Sequence, residues 1–452
     1  MHYETNSKNV KNGDVFVCIK GLHFDGHDFI DEAIKNGASL IIGSKKLKLD
    51  NIKYKKVKDS EKYLTKILGK DNKKLTKDIK IIGITGTKGK TTTASIVYNM
   101  LIKMGVNAAY IGTLGLYYKD KKEMLDNTTP DILSLNKIFK KLKEENITHV
   151  VMEISSHALF YKRINGLTLS VASFTNLSQD HIDFHKTMDN YLHEKLKILK
   201  YLDGPIILND DDNASNSFKK KTRKYITIGK NGDYKINNYN LYETNTIINI
   251  EHQYNKYSIS IPYIGKFNIY NYLEALCIMI ALGYDILDII NITNSLPHIK
   301  GRCELIKTSK GFIVIDYAHS PASVKEVLET YNKLKKGKII TIIGCGGNRD
   351  KIKRPIMGDI AVKNSDYVIF TSDNPRDENP KEILKDMTKD LKNENYEIIE
   401  NRKEAIKKGV KLLSKKDYLL ILGKGHEDYQ IINNNKYHFD DKEEALKYIN
   451  YF

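Results

Sequence analysis

The chain has no tryptophan, eight prolines and four cysteines among its 452 residues. Cysteines at positions 18, 277, 303 and 345 are too sparse for a disulfide framework and lack paired metal spacing, so they read as packing residues. Nowhere does an uninterrupted apolar stretch approach the ~20 residues that a membrane-spanning helix needs. The polar segment Met1 to Asp14 lacks an apolar signal core, so a cytoplasmic protein without membrane insertion is expected. Acidic excess is also missing: 73 Lys and Arg against 56 Asp and Glu leave a formal charge of +17. Lysines such as Lys119, Lys121, Lys122, Lys219 to Lys221, Lys335 and Lys336 are scattered, and no aromatic stacking block accompanies them. Nucleic acid is therefore not the expected partner, and the positive field would instead draw multiply anionic small molecules. The length suits about three domains, each able to bury its own core.

What is present is a phosphate-binding loop. Gly83-Ile84-Thr85-Gly86-Thr87-Lys88-Gly89-Lys90-Thr91-Thr92 lies between an apolar run, Ile79 to Ile84, and a helical pattern, Thr93 to Met104. Glycines let backbone N–H groups turn toward an anion, and the helix start adds positive potential. Lys90 can reach terminal phosphates and Thr91 can hold Mg²⁺. Gly86 is only three residues before Gly89, a departure from the strict phosphate-loop spacing.

Alternating apolar strands and helical patterns predict parallel βαβ units. An α/β fold of three domains follows: a small N-terminal domain over residues 1–77, a central mononucleotide-binding domain over 78–301, and a doubly wound, Rossmann-like domain over 302–452. Lys62 to Lys77 reads as a linker or connecting helix, and Asn-rich Lys230 to Tyr254 as a hairpin or a mobile loop. Ligands bind at strand carboxyl ends in such sheets, so the polar strand tips carry the functional expectations. One predicted strand ends at Glu153, which taken alone is equally a Mg²⁺ ligand or a helix-capping acid. Another is followed by Thr175 to His185; there His181 is either a metal ligand or a surface histidine. In the last domain, Arg349 and Arg376 follow adjacent predicted strands and have the two-pronged geometry that grips carboxylates, with structural salt bridges as the competing account. Gly423-Lys424-Gly425-His426-Glu427 follows a third strand and adds a carboxylate for a substrate ammonium.

Assembled, these residues resemble the Mur ligase family, and within it the ligases that add the third residue to UDP-N-acetylmuramoyl-dipeptide. Thr85 to Thr92 is similar to the family's own phosphate loop. Asn127-Thr128-Thr129-Pro130, Glu153-Ile154-Ser155-Ser156-His157 and Thr175 to His181 match further blocks in order. The resemblance implies ATP on Gly86, Thr87, Lys88, Gly89, Lys90, Thr91 and Thr92, with Asn268, Arg302 and Asp316 as further nucleotide contacts. It implies Mg²⁺ at Thr91, Glu153 and His181, and catalytic roles for Lys90, Glu153, His181 and a carbamylated Lys195. A carbamate forms only on a neutral amine, so Lys195 needs a depressed pKa. The UDP-sugar-peptide is expected at Ser7, Leu22, His23, Phe24, Asn127, Thr128, Thr129, Ser155 and Arg163. Thr5-Asn6-Ser7-Lys8 departs from the family's Asp-Ser-Arg, and Tyr161 replaces a glutamine. Asp373-Asn374-Pro375-Arg376 resembles the signature of members that add meso-diaminopimelate; Arg349, Asp373, Asn374, Arg376, Gly423 and Glu427 are the expected contacts. The expected enzyme is a monomeric amide ligase of peptidoglycan synthesis, using ATP and Mg²⁺ on small-molecule substrates. Lysine as the added amino acid, a folylpolyglutamate synthase, a nucleic-acid-dependent NTPase and a non-catalytic homologue are the rival readings.

Overall fold

Runs of isoleucine and valine become buried strands where both sheet faces are covered. A computed structural model describes residues 2–21, 24–433 and 435–449 of the chain. Two units emerge from its internal contacts: one runs through Thr227 and includes Glu274–Tyr284, the other comprises Ile228–Leu273 and the chain from Asp285 onward.

In the first unit, Lys80–Thr85 pairs in parallel with Leu169–Phe174 on one side and His149–Glu153 on the other. Ala108–Gly112 and Ile206–Asn209 flank them in parallel, and antiparallel Gly115–Tyr118 and Lys121–Glu123 complete the first of these edges. Register sets Ile84 beside Glu153 and Thr85 beside Phe174. The chain therefore leaves three adjacent strands at one edge, into Gly86, Ile154 and Thr175. The N-terminal segment forms a second parallel sheet of Tyr3–Glu4, Val15–Val17, Leu40–Gly43 and Lys53–Lys56. The Lys-rich stretch is a packed helix, Ser60–Leu75, capped by the Asp59 carboxylate. Leu64 and Leu68, one turn apart, bury a stripe against Val15, Val17, Ile42, Ile132 and Leu133 while the lysines face outward.

The second unit contains an open sheet in the order Glu304–Lys307, Gly311–Asp316, Asp417–Leu422, Ile339–Ile343, Tyr367–Phe370, Tyr396–Ile398, parallel except for the first pair. Strict alternation divides its side chains: Val314, Ile343, Leu420 and Leu422 pack into one core, and Ile313, Ile342, Leu419 and Ile421 into another. Helices cover both faces, the doubly wound arrangement expected. Asp417–Leu422, last in sequence among these parallel strands, lies between the first two, so the tips after residues 316, 343, 370 and 422 are neighbours. The Asn-rich insertion is ordered, with Tyr234–Leu241, Thr246–His252 and Asn255–Ile261 pairing antiparallel. All four cysteines are buried and none is in a disulfide. No described helix is long and apolar enough to cross a membrane.

Candidate functional site

The phosphate loop runs from Gly86 into a helix, Lys90–Lys103, that begins three residues earlier than the apolar pattern suggested. Gly89 takes φ 85° at its N-cap, so Lys90, Thr91 and Thr92 form the first turn. Gly86 (φ 148°) presses against the neighbouring strand tip so closely that a Cβ there would come within 1.9 Å of Thr175 Oγ1. Lys88 N–H donates to Asn176 Oδ1 at 3.0 Å, and Thr87 N–H to the Asn176 carbonyl at 2.9 Å. The segment after Thr175 thus braces the loop from outside. Lys90 Nζ donates to the carbonyls of Gly86 and Thr87, each at 2.9 Å.

Glu153 is fully buried and accepts from the Thr91 hydroxyl (2.9 Å), the Tyr110 hydroxyl (2.5 Å) and Thr113 N–H (2.8 Å). Thr91 and Glu153 therefore stand side by side as hard oxygen donors of the kind Mg²⁺ takes alongside substrate phosphates. His181 sits apart in its contacts: about half exposed, it begins the short helix Ile182–His185, with Nε2 3.6 Å from Asp180 and its ring edge-on to His157. Burial holds the pKa of His157 down to about 4 and also lowers that of His185.

Lys195 is 1% exposed, its ammonium donating to the Gly86 carbonyl at 2.8 Å and lying 4.2 Å from the centre of the Tyr191 ring. Burial, and next the positive Lys90, push its pKa well below the ordinary lysine value. By composition it is one lysine among dozens; its burial and position set it apart.

A cavity of about 740 Å³ opens in the same unit, lined by residues including Ser7, Phe24, Phe29, Tyr161 and Arg163. Arg163 Nη1 donates to the Thr129 carbonyl at 2.7 Å, the Thr129 hydroxyl donates to the Glu153 carbonyl at 2.8 Å, and Ser155 N–H donates to Thr129 Oγ1 at 3.0 Å. Thr128 Oγ1 lies 3.1 Å from Thr113 Oγ1, whose own hydroxyl reaches Glu153, so these residues link the cavity wall to the phosphate-loop edge. Asn127 is exposed, Ser7 hydrogen-bonds Glu32, and Leu22 and His23 lie outside the described residues.

In the second unit, Asn268 is buried, its amide donating to the Ile264 carbonyl at 2.8 Å. Asp316 accepts the N–H groups of Cys303 and Ala318, both at 2.7 Å; burial raises its pKa against the lowering effect of Arg302. The Arg302 guanidinium lies 4.6 Å from the centre of the Tyr317 ring, which also contacts His319 and His426.

The remaining tips converge. Asn374 donates to Glu427 Oε2 at 2.8 Å, and its N–H meets Asp373 Oδ1 at 2.6 Å. Gly423 (φ 113°) is so close that a Cβ there would lie 2.7 Å from Asp373 Oδ2. Arg376 takes φ 53° and donates to the Gly347 and Asn374 carbonyls at 2.8 and 3.3 Å. None of the described carboxylates forms an ion pair with it; an arginine fixed by neutral carbonyls retains its charge for an incoming anion. Both arginines flank Gly346, where an added Cβ would lie 2.9 Å from Arg376 Nη1 and 3.8 Å from Arg349 Cγ. Burial first, then repulsion from Asp373, raises the pKa of Glu427. Residue types alone did not single out Tyr110, Thr113, Glu274 or Lys424: the first three meet partners far away in sequence, and Lys424 joins nearby Glu427 to distant Asn374.

These two sets of strand tips define a class. The Mur ligase middle domain matches residues 84–279, the Mur ligase glutamate ligase domain 301–425, and the Mur ligase family catalytic domain 2–77. The chain belongs to the Mur ligase family. Among its relatives, UDP-N-acetylmuramoyl-L-alanyl-D-glutamate–2,6-diaminopimelate ligase 1 of Clostridium acetobutylicum is 40% identical over 450 residues, covering 98% of this chain and 93% of its own. The ligase of the same description from Clostridium botulinum is 39% identical over 450 residues, covering 97% and 93%. A solved UDP-N-acetylmuramoyl-L-alanyl-D-glutamate–2,6-diaminopimelate ligase superposes with a TM-score of 0.72 at 28% identity, covering 100% of this chain and 94% of that one.

Proposed function

We propose that this chain is an ATP-dependent amide ligase that joins meso-2,6-diaminopimelate to UDP-N-acetylmuramoyl-L-alanyl-D-glutamate in peptidoglycan synthesis. The observation that carries the choice of amino acid is Arg376, fixed by carbonyls and free of carboxylate partners among the described residues, beside the Asn374–Glu427 pair. A diamino acid with a second carboxylate presents one anion and one ammonium to that arrangement. Lysine would leave the guanidinium unmatched. Relatives about 40% identical along nearly the whole chain, described as diaminopimelate ligases, support the same choice.

In this reading, the cavity lined by Ser7, Phe24 and Arg163 holds the UDP-sugar-dipeptide, together with Leu22, His23, Asn127, Thr128, Thr129 and Ser155. The loop Gly86 to Thr92 holds the ATP phosphates, with Asn268, Arg302 and Asp316 contacting the nucleotide. An oxygen of the dipeptide's terminal carboxylate attacks the γ-phosphorus, the bond to the β-phosphate oxygen breaks, and ADP leaves an acyl phosphate. Lys90 balances charge that develops on the transferred group. Thr91, Glu153 and His181 would hold Mg²⁺, which supplies further neutralisation of phosphate charge. A diaminopimelate amine, delivered neutral, then attacks the acyl carbon; phosphate departs with the C–O bond electrons and the amine's proton passes to water. Arg349, Asp373, Asn374, Arg376, Gly423 and Glu427 orient that amino acid. Lys195 fits carbamylation, because its burial beside Lys90 favours the neutral amine, the form that reacts with carbon dioxide, and the resulting carbamate would be an anion beside the positive Lys90. A cytoplasmic site of action follows from the soluble nucleotide substrates.

Phosphate release, measured with the UDP-dipeptide and ATP plus meso-diaminopimelate, lysine or no amino acid, tests the reading. Turnover with diaminopimelate alone is expected, and equal turnover with lysine would overturn the argument from Arg376.

A further inference from the structure

Lys424 belongs to none of the expected contact sets, yet it is wholly buried in the second unit. Its ammonium donates to Asn374 Oδ1 and Glu427 Oε2, each at 3.3 Å, and to the Tyr429 carbonyl. A buried ammonium persists where several acceptors offset its lost hydration, and here three oxygens do so, one from the Asp373–Arg376 tip and two from the segment just after Lys424 itself. Those oxygens already bind one another's surroundings. Asn374 Oδ1 accepts Ile431 N–H at 2.9 Å, the Gln430 amide donates to the Asp373 carbonyl at 2.6 Å, and Arg376 N–H donates to the Ile431 carbonyl at 3.0 Å. The strand Tyr429–Ile432 is thereby tied to the Asp373–Arg376 tip, with Lys424 at the junction. Asp373 is buried, the Glu427 side chain is 14% exposed, and after burial it is repulsion between the two that raises the Glu427 pKa, an effect the Lys424 charge opposes.

We propose that Lys424 is a positioning residue for the incoming amino acid: its ammonium fixes Asn374 and Glu427 in one cradle and offsets the Asp373–Glu427 charge. The inference rests on the reading above that this site takes a diamino acid. Two consequences separate it from a purely structural role. Removal of the cation weakens diamino-acid binding while sparing the other substrates, and the effect depends on the Glu427 charge.

The test is a double-mutant cycle in the full-length enzyme with Lys424→Met and Glu427→Gln, with melting temperatures recorded for each variant. Lys424→Met is expected to raise KM for meso-diaminopimelate at least ~10-fold while KM for ATP and for the UDP-dipeptide stays within about 2-fold. In the Glu427→Gln background the same change is expected to add less than ~3-fold, because the carboxylate it offsets is gone. Should Lys424→Met not fold, Lys424→Arg keeps the charge on a bulkier head that the cradle cannot seat, and a selective rise in the diaminopimelate KM is still expected. Multiplicative effects in the cycle, or an equal rise in all three KM values in whichever variant folds, overturn the proposal. Absence of diaminopimelate-dependent turnover in the unaltered enzyme overturns both this inference and the functional reading, whereas intact turnover with a failed cycle, or with an unselective Lys424→Arg, overturns this inference alone.

Discussion

The phosphate-loop edge of the first unit and the Arg376 edge of the second are built alike, from adjacent tips of parallel strands, yet they manage charge in different ways. At the first edge, Lys90 and Lys195 both donate to the Gly86 carbonyl, and burial with mutual repulsion lowers the pKa of Lys195. At the second, Lys424 binds both Asn374 and Glu427, Asp373 repels Glu427, and Arg376 is held by carbonyls. The first edge thus suits a polyanion, met by the Lys90 charge and by the N–H groups at the helix start. The second suits a zwitterion, with an anion-seeking and a cation-seeking group at fixed separation.

Substitutions test that contrast most sharply at the first edge. Lys90→Ala is expected to reduce phosphate release on the order of 10³-fold by removing the charge proposed to stabilise the transferred group, checked by single-turnover kinetics. Lys195→Ala should cost on the order of 10²-fold, and added formate or acetate should restore part of it if a carbamate is what the site needs. Full activity without such additives would remove the carbamate from the account. At the second edge, Arg376→Lys is expected to raise KM for diaminopimelate about 10-fold, leaving KM for ATP unchanged, since a point charge replaces a two-pronged donor. A parallel rise for ATP would mean that the two edges are less distinct than their geometry indicates.

The smallest expected effect concerns stability. Glu274 is fully buried, accepts from Ser173 Oγ at 3.0 Å and Thr93 Oγ1 at 3.4 Å, and is raised by burial to about 8. Its folded pKa exceeds the ordinary value of 4.5, so the native state keeps a proton that the unfolded chain releases. That stabilising contribution is complete below pH 4.5 and is lost as pH rises from there to about 8, at no more than ~1.4 kcal/mol per pH unit. Glu274→Gln, which keeps the shape and cannot ionise, should flatten the fall in melting temperature between pH 5.5 and 7.5. An unchanged slope would show that Glu274 is ionised in the folded protein.

Contiguous features were legible from residue order. The loop Gly86 to Thr92, the strands that end at Glu153 and Asp316, and the Asp373–Arg376 tip depend on local glycine placement and hydrophobic periodicity, and they occur where the patterns put them. The linker reading of Lys62 to Lys77 gave way to a packed helix because two leucines at helical spacing outweigh the lysines around them. Glu274 carries no local signal, and the Gly423 to Glu427 tip pointed to its carboxylate rather than to Lys424. Lys195 stands out only through the family resemblance until the folded chain removes water from it.

Residue order determined which chemical groups stand at strand ends, since alternation and turn chemistry act over a few residues. Only the tertiary structure decided which lysines are buried, which carboxylate keeps its proton and that Arg376 is held by carbonyls. Those properties arise from desolvation and from partners dozens to hundreds of residues away, and a linear sequence specifies neither until it folds.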